Sequence, residues 1–332
     1  MPSDTSPERI DALLGVTLTQ IRRHGRSVVQ VRAHDRLIGS GTWAACERLR
    51  LDWLLEHHQP RLSAPLPTWG GKQLWGDIFV QRGWRIQEHV WSPNCRLLNP
   101  HNRRIAHGTW PQCRTAFERL RLNRDIQPHN HHAVVILHGL IRSKESVWGL
   151  SQAAREAGYE VVDVNYPSTR RPIQDNAEQL NRLLDNLRGI DTVSFITHSM
   201  GAAVVRTAMA SPTPRGWWER IRVDRCAMIF PPSRGSHKAN RWATNPVVRW
   251  FMGPALEELT THQALNIPRP TFPFAIIAGQ RDTTVLIEEA RMDGAEAFIT
   301  LDVEHTFGMN HPKVVNATLN YIQHGSLHHQ ES

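Results

Sequence analysis

The segment Thr197-His198-Ser199-Met200-Gly201 stands between an apolar run, Thr192 to Thr197, and a run that opens Gly201-Ala202-Ala203. A serine hydroxyl becomes a working nucleophile when a tight strand-to-helix turn exposes it and a base takes its proton. The residues two before and two after must be small, so that strand and helix can approach. Gly201 meets that requirement, whereas Thr197 is bulkier than the usual glycine, so the segment is read together with its partners. Ser199 is the candidate nucleophile, with His198 and Gly201 as its neighbours in the turn.

A carboxylate and an imidazole are placed to serve such a serine. Asp282 follows the apolar run Phe274 to Ala278 in the loop Gly279-Gln280-Arg281-Asp282, and His305 follows Ala297 to Val303. Both fall at the carboxyl ends of expected parallel strands, where open α/β sheets place their ligands. Asp302 and Glu304 are closer to His305 in sequence, but Asp302 is expected inside the last strand, which ranks it behind Asp282. His311 reads as a helix-start residue and Asp163 as structural. His138, just before a loop at a strand end, is expected to play a structural part near the site.

The elements that must hold these residues alternate between strand and helix from residue 133 onward. Strands are expected at 133–139, 160–167, 192–197, 226–230, 274–278 and 297–303, and helices at 146–157, 175–188, 201–209 and 312–324. Leucines at 180, 183, 184 and 187 give the second helix an apolar stripe. This order predicts a doubly wound, mostly parallel sheet with helices on both faces. These strands are expected to make a complete sheet, so residues 127 to 332 should fold alone. The polar stretch Gln127 to His132 marks a boundary, giving domains 1–128 and 129–332; its histidines, like His328 and His329, have no partner at ligand spacing and read as solvated, with no metal.

Residues 1–128 contain a weak internal repeat. Gly41-Thr42-Trp43 with Cys46 matches Gly108-Thr109-Trp110 with Cys113, and Glu-Arg-Leu-Arg-Leu follows in both copies. Alternating stretches at 28–31 and 84–90 read as strands. The pattern predicts two small α+β modules, each a short antiparallel sheet followed by a helix that threonine caps, with Trp43, Trp110, Cys46 and Cys113 in their cores. The Pro- and Gly-rich segment 60–72 reads as the linker between them. In outline the modules resemble small DNA-binding domains built from a three-stranded sheet and a helix.

Composition narrows the class of protein. Forty per cent hydrophobic and 21% charged residues, with no long apolar run, fit a globular chain without a membrane span. The polar start MPSDTSPERI is unlike a secretory leader, and four cysteines without a CxxC pair read as reduced packing thiols, so a cytoplasmic location is expected. The net charge of +8 arises wholly in residues 1–130, with nineteen Lys and Arg against eleven Asp and Glu, and Lys72 is the one lysine among them. Arginine's planar fork suits phosphate and carboxylate, so contact with a polyanion is one reading of this region and a solvated basic face the other.

Residues 133–325 resemble the α/β-hydrolase superfamily in its lipase- and esterase-like branch. The resemblance is carried by VVILHGL (134–140), THSMG (197–201), IFPPSRGS (229–236), GPALEEL (253–259), AGQRDTTV (278–285) and HTFGMNHP (305–312). It implies Ser199, Asp282 and His305 as a catalytic triad in that chain order. It also implies an oxyanion hole formed by the backbone N–H groups of Met200 and of Leu140, which follows His138-Gly139. The expected activity is hydrolysis of a small-molecule or lipid carboxylic ester through an acyl-enzyme, without a cofactor. An acyltransferase or thioesterase would use the same residues. A rival reading from another class makes the chain a polyanion-binding protein with a hydrolase-like scaffold. The tryptophan-rich insertion at 212–265 reads either as a pocket lid or as a cover for the sheet.

Overall fold

The computed structural model describes residues 7–23, 26–68, 72–210 and 216–328. It divides into two compact units, residues 1–66, 94–97 and 104–126 in one, and residues 67–93, 98–103 and 127–332 in the other.

In the first unit the strands Arg9–Leu13, Val16–Arg23, Arg26–Ala33 and Arg36–Gly41 form an antiparallel meander. One sheet face is buried: Leu13, Val16, Leu18, Val29 and Val31 pack with Cys46 and Leu54 of the helix Trp43–His57. The repeated threonines work as caps. Thr42 accepts the Ala45 N–H at 3.3 Å, and Thr109 forms a capping box with Gln112 at the start of the helix Trp110–Arg124. Cys46 and Cys113 are fully buried as free thiols, but Trp43 and Trp110 are only half-buried. Trp43 packs against the edge of that core and also supports the Arg9 guanidinium, 3.8 Å above its ring. Several arginines of this basic unit face inward: Arg50 pairs with Asp11 at 2.9 Å, Arg114 with Glu118 at 2.8 Å and Arg121 with Glu47 at 2.7 Å. The segment expected as a linker contains the strand Arg61–Pro67, because alternating extended backbone pairs with a neighbour as readily as it spans a gap. Residues 69–71 of that segment, and His329, lie outside the described residues.

The second unit is built on strands β1 (Trp75–Gln81), β2 (Trp84–His89), β3 (His132–Leu137), β4 (Glu160–Val164), β5 (Thr192–His198), β6 (Arg222–Ile229), β7 (Phe274–Gly279) and β8 (Ala297–Leu301). Its helices are α1 (Trp148–Glu156), α2 (Ile173–Asn186), α3 (Met200–Met209), α4 (His237–Ala243), α5 (Pro246–Met252), α6 (Ala255–Glu258), α7 (Thr261–Ala264), α8 (Ile287–Ala290) and α9 (Pro312–His324). Strands β3 to β8 make a parallel sheet in the order β4-β3-β5-β6-β7-β8.

Successive side chains of these strands enter opposite cores, as the period of two requires. Val135, Leu137, Phe195, Met228 and Ile276 pack toward α2 and α3, while Val134, Ile136, Ile196, Ile229 and Ile277 pack toward α1 and α9. Burial on both faces explains why these strands read as continuous apolar runs rather than alternating ones. Helix α9 has the bounds expected from sequence: His311 accepts the Lys313 N–H, Pro312 opens the first turn, and Gly325 ends the helix at φ 75°.

The structure departs from the sequence pattern at two places. The boundary at 128 does not separate the units: the antiparallel hairpin β1–β2, which lies in a different sheet from the parallel one, falls in the second unit. The Asp77 N–H donates to Asn165 O at 2.8 Å, and the Asn165 N–H returns to Asp77 Oδ2 at 2.7 Å. Arg85 of β2 bridges Asp77 at 2.5 Å and Asp163 of β4 at 2.8 Å. Residues 127–332 therefore lack part of their own unit. The second correction is that β8 ends at Leu301, so Asp302 lies past the strand rather than within it. Among the described residues no helix is long and apolar enough to cross a membrane.

Candidate active site

Ser199 joins β5 to α3 at φ 51° and ψ −120°, a backbone conformation that costs energy for a residue with a side chain and is held only by its surroundings. Its N–H donates to Ile229 O at 2.9 Å, and α3 begins at the next residue. The turn tolerates no bulk. A methyl group at Gly201 would stand 2.9 Å from Leu137 Cβ, and one at Gly139 would stand 2.8 Å from His198 Nδ1 and 3.2 Å from Ser199 Cβ. Thr197, at the minus-two position, is wholly buried within β5.

A continuous hydrogen-bonded chain leads away from the hydroxyl. His305 Nε2 lies 3.0 Å from Ser199 Oγ, and His305 Nδ1 lies 2.7 Å from Asp282 Oδ2. The Asp282 side chain is fully buried. Its other oxygen accepts the N–H groups of Thr284 at 2.7 Å and Val285 at 2.9 Å, which fixes the carboxylate. The competing carboxylates are directed elsewhere. Asp302 is 67% exposed on its side chain and pairs with Arg281 at 2.8 Å. Glu304 accepts the N–H groups of Thr306 at 2.7 Å and Phe307 at 2.5 Å, which shapes the loop carrying His305.

The other histidines near the serine are neutral and positional. Burial pushes the His138 ring down to about 4; its Nδ1 is 2.8 Å from the Gly139 carbonyl, and the ring stacks on Tyr166 at 4.1 Å. Burial, reinforced by His305, holds the His198 ring well below its usual value. A neutral His198 donates its Nε2–H to the His305 carbonyl at 3.1 Å, which ties the two loops together. The Tyr166 hydroxyl donates to the His138 carbonyl.

The loop after β3 is shaped by contacts that sequence reasoning missed. Ile141 has φ 63°, an outlier for a β-branched residue. Its N–H donates to Ser168 Oγ at 3.1 Å, and the Arg142 N–H closes a turn onto Gly139 O at 3.2 Å. Gln73 then clamps the loop: its Nε2 donates to Arg142 O at 2.8 Å, while its Oε1 accepts from the Thr169 N–H at 2.9 Å. Nothing in the Pro- and Gly-rich surroundings of Gln73 distinguishes it, because all of these partners lie about seventy residues or more downstream.

An open cavity of about 150 Å³ meets Ser199 and His305. Gly139 and Leu140 border it beside the serine, and Trp242, Met252, Leu256, Leu259 and Val285 supply an apolar wall. The tryptophan-rich insertion thus divides its work. Trp242 and Met252 face the cavity, Trp217 is buried with its indole N–H on Asn181 Oδ1 at 3.1 Å, and Trp250 and Phe251 are exposed. Of the histidines of 127–132, His129 and His131 are exposed, the latter with Nδ1 2.8 Å from Gly189 O, and His132 is half-buried with Nε2 2.9 Å from Ser194 Oγ. Among the described residues no group of three or more His, Cys, Asp or Glu side chains is arranged to hold a metal ion.

Neither a protein-family model nor a curated protein matches the chain. Among solved structures it is similar to a metagenomic carboxyl esterase, at 17% identity and TM-score 0.43, over 53% of this chain and 64% of that one. A thermophilic esterase from Thermogutta terrifontis matches at 15% identity and TM-score 0.41, over 57% and 89% of the two chains. A hydrolase from Oleispira antarctica matches at 13% identity and TM-score 0.43, over 60% and 93%. The functional reading rests on the geometry of the site itself.

Proposed function

We propose that the chain is a serine hydrolase acting on a carboxylic ester, with Ser199 as nucleophile, His305 as general base and acid, and Asp282 as the orienting carboxylate. The observation that carries this reading is the unbroken run from Asp282 Oδ2 through both nitrogens of His305 to Ser199 Oγ, ending at an open cavity. In the first step Ser199 Oγ attacks the ester carbonyl carbon while His305 Nε2 takes its proton. Asp282 holds the Nδ1–H tautomer and stabilises the imidazolium that forms. Negative charge then develops on the carbonyl oxygen. Two backbone N–H groups are assigned to receive it: that of Met200, in the first turn of α3 where amides lack intrahelical partners, and that of Leu140 in the clamped loop. The imidazolium gives its proton to the leaving alcohol. Water, activated by the same imidazole, then releases the acid from the acyl-enzyme. The apolar wall formed by Trp242, Met252, Leu256 and Leu259 suits a hydrocarbon acyl chain.

Hydrolysis of short p-nitrophenyl esters by Ser199→Ala tests the assignment. The account expects a folded protein whose kcat falls by on the order of 10⁵ or more. Persistent turnover at a wild-type rate would move the nucleophile elsewhere.

A further inference from the structure

Among the described residues that border the cavity, Arg142 carries the only permanent charge. Its side chain is half-buried, and among the described residues its guanidinium faces no carboxylate. Its neighbour is the ring of Phe307, 5.8 Å away. A contact to a ring face leaves the N–H edge of a guanidinium free to donate. Its charge is felt at the site, where it opposes protonation of His198. The backbone beneath it is also fixed more firmly than a solvated surface arginine requires: Ile141 is held at a strained φ, the turn closes onto Gly139, and Gln73 grips the Arg142 carbonyl. An uncompensated cation, held at the wall of a pocket on a clamped loop, is arranged to meet a charge that arrives with the substrate.

The side of the pocket follows from the mechanism. The leaving oxygen must come within hydrogen-bond reach of His305 Nε2 to receive its proton, so the alcohol departs on the side of the loop 305–307. Arg142 stands on that side, against Phe307. The acyl group lies toward the apolar helices α4 to α6, which carry no charge into the cavity. Resting on the serine-hydrolase reading above, we propose that Arg142 determines specificity by binding an anionic group, carboxylate or phosphoryl, on the alcohol portion of the ester.

The test uses the full chain and two pairs of aryl butanoates. In one pair the phenol bears a para carboxylate or its methyl ester; in the other it bears a para phosphonate or its dimethyl ester. The ratio of kcat/KM for the anionic over the neutral member is compared among wild type, Arg142→Gln and Arg142→Lys. The chemical reactivity of each ester is the same in every variant, so a change in the ratio reads the side chain. The expected result is a ratio lower by at least about tenfold in Arg142→Gln, with part of it kept in Arg142→Lys. The pair that responds identifies which anion is bound. Ratios within twofold in all three proteins would overturn the assignment while leaving the hydrolase reading intact. So would a change confined to an ester with its carboxylate on the acyl chain, such as mono-(4-nitrophenyl) glutarate. Failure to hydrolyse any of these esters, neutral or anionic, would overturn both readings together.

Discussion

Two buried ionic clusters sit in the second unit, and what faces their carboxylates separates them. Asp77 and Asp163 both face Arg85, at 2.5 and 2.8 Å, and Arg155 adds a second contact to Asp163 at 3.0 Å. Burial opposes the charge on Asp163, but Arg85 and its basic neighbours outweigh it and hold the carboxyl below its ordinary range. At Asp77 burial outweighs Arg85 and pushes the carboxyl up, and the ion pairs of the cluster tie β2 to β4. Asp282 instead faces an imidazole, whose far nitrogen meets a serine hydroxyl at the edge of a cavity. That run of hydrogen bonds joins a carboxylate to a hydroxyl through both nitrogens of one imidazole. A buried carboxylate opposite guanidinium is architecture; opposite an imidazole that ends on a hydroxyl, it fits the proposed catalytic role.

Removing the charge from each cluster should therefore damage different properties. Asp282→Asn leaves the nucleophile and backbone donors in place but loses the correct tautomer, so ester hydrolysis should fall by on the order of 10⁴ with the fold retained. Steady-state rates beside thermal melts check both halves. In the other cluster, Arg85→Met leaves the buried Asp77 carboxylate without its counterion and Asp163 with Arg155 alone, and should cost about 3–5 kcal/mol of stability. Urea unfolding reads that loss. A fragment of residues 127–332 lacks Arg85 altogether and should be insoluble or molten, whereas the sequence alone suggested that it would fold. A stable, cooperative fragment would show that the hairpin only decorates the sheet.

Acid should also distinguish the regions. The folded state holds His138 neutral down to about 4, while the unfolded chain protonates it near its ordinary value of about 6.5. Between those values the unfolded state binds more protons, so stability falls as pH drops through that window and does not respond above it. The loss from His138 alone should reach about 2 kcal/mol at pH 5, and His198 should add to it. Unfolding curves at pH 7 and pH 5 measure the sum, and equal stability at the two values would contradict the neutral assignment. The smallest effect is expected at the surface. Asp302→Asn breaks an exposed pair with Arg281 and should change activity by less than about tenfold, and a loss equal to that of Asp282→Asn would mean the acid is shared.

The two clusters were also unequally legible in the amino-acid sequence. Ser199, Asp282 and His305 each follow an apolar run, and their order along the chain matches the order of strands, so local pattern was enough to bring them together. Helix α9 was legible to the residue because Pro312 and Gly325 bracket it. Asp77, Arg85 and Gln73 were not, since their partners lie 78 or more residues away in several cases. Strand β2 alternates as an antiparallel strand should, and it is one; nothing local shows that it falls in the same unit as the parallel sheet. Asp302 was misplaced because an apolar and β-branched run shows where a strand starts more clearly than where its last hydrogen bond falls.

The most direct test of the account is covalent labelling of the native protein by a fluorophosphonate probe, with the modified peptide located by mass spectrometry. Only a serine activated by its neighbours attacks such a probe at a useful rate. The account predicts a single adduct on Ser199 in wild type, lost in His305→Ala although Ser199 is still present. No adduct on the folded protein, an adduct on another residue, or undiminished labelling of Ser199 in His305→Ala would contradict it.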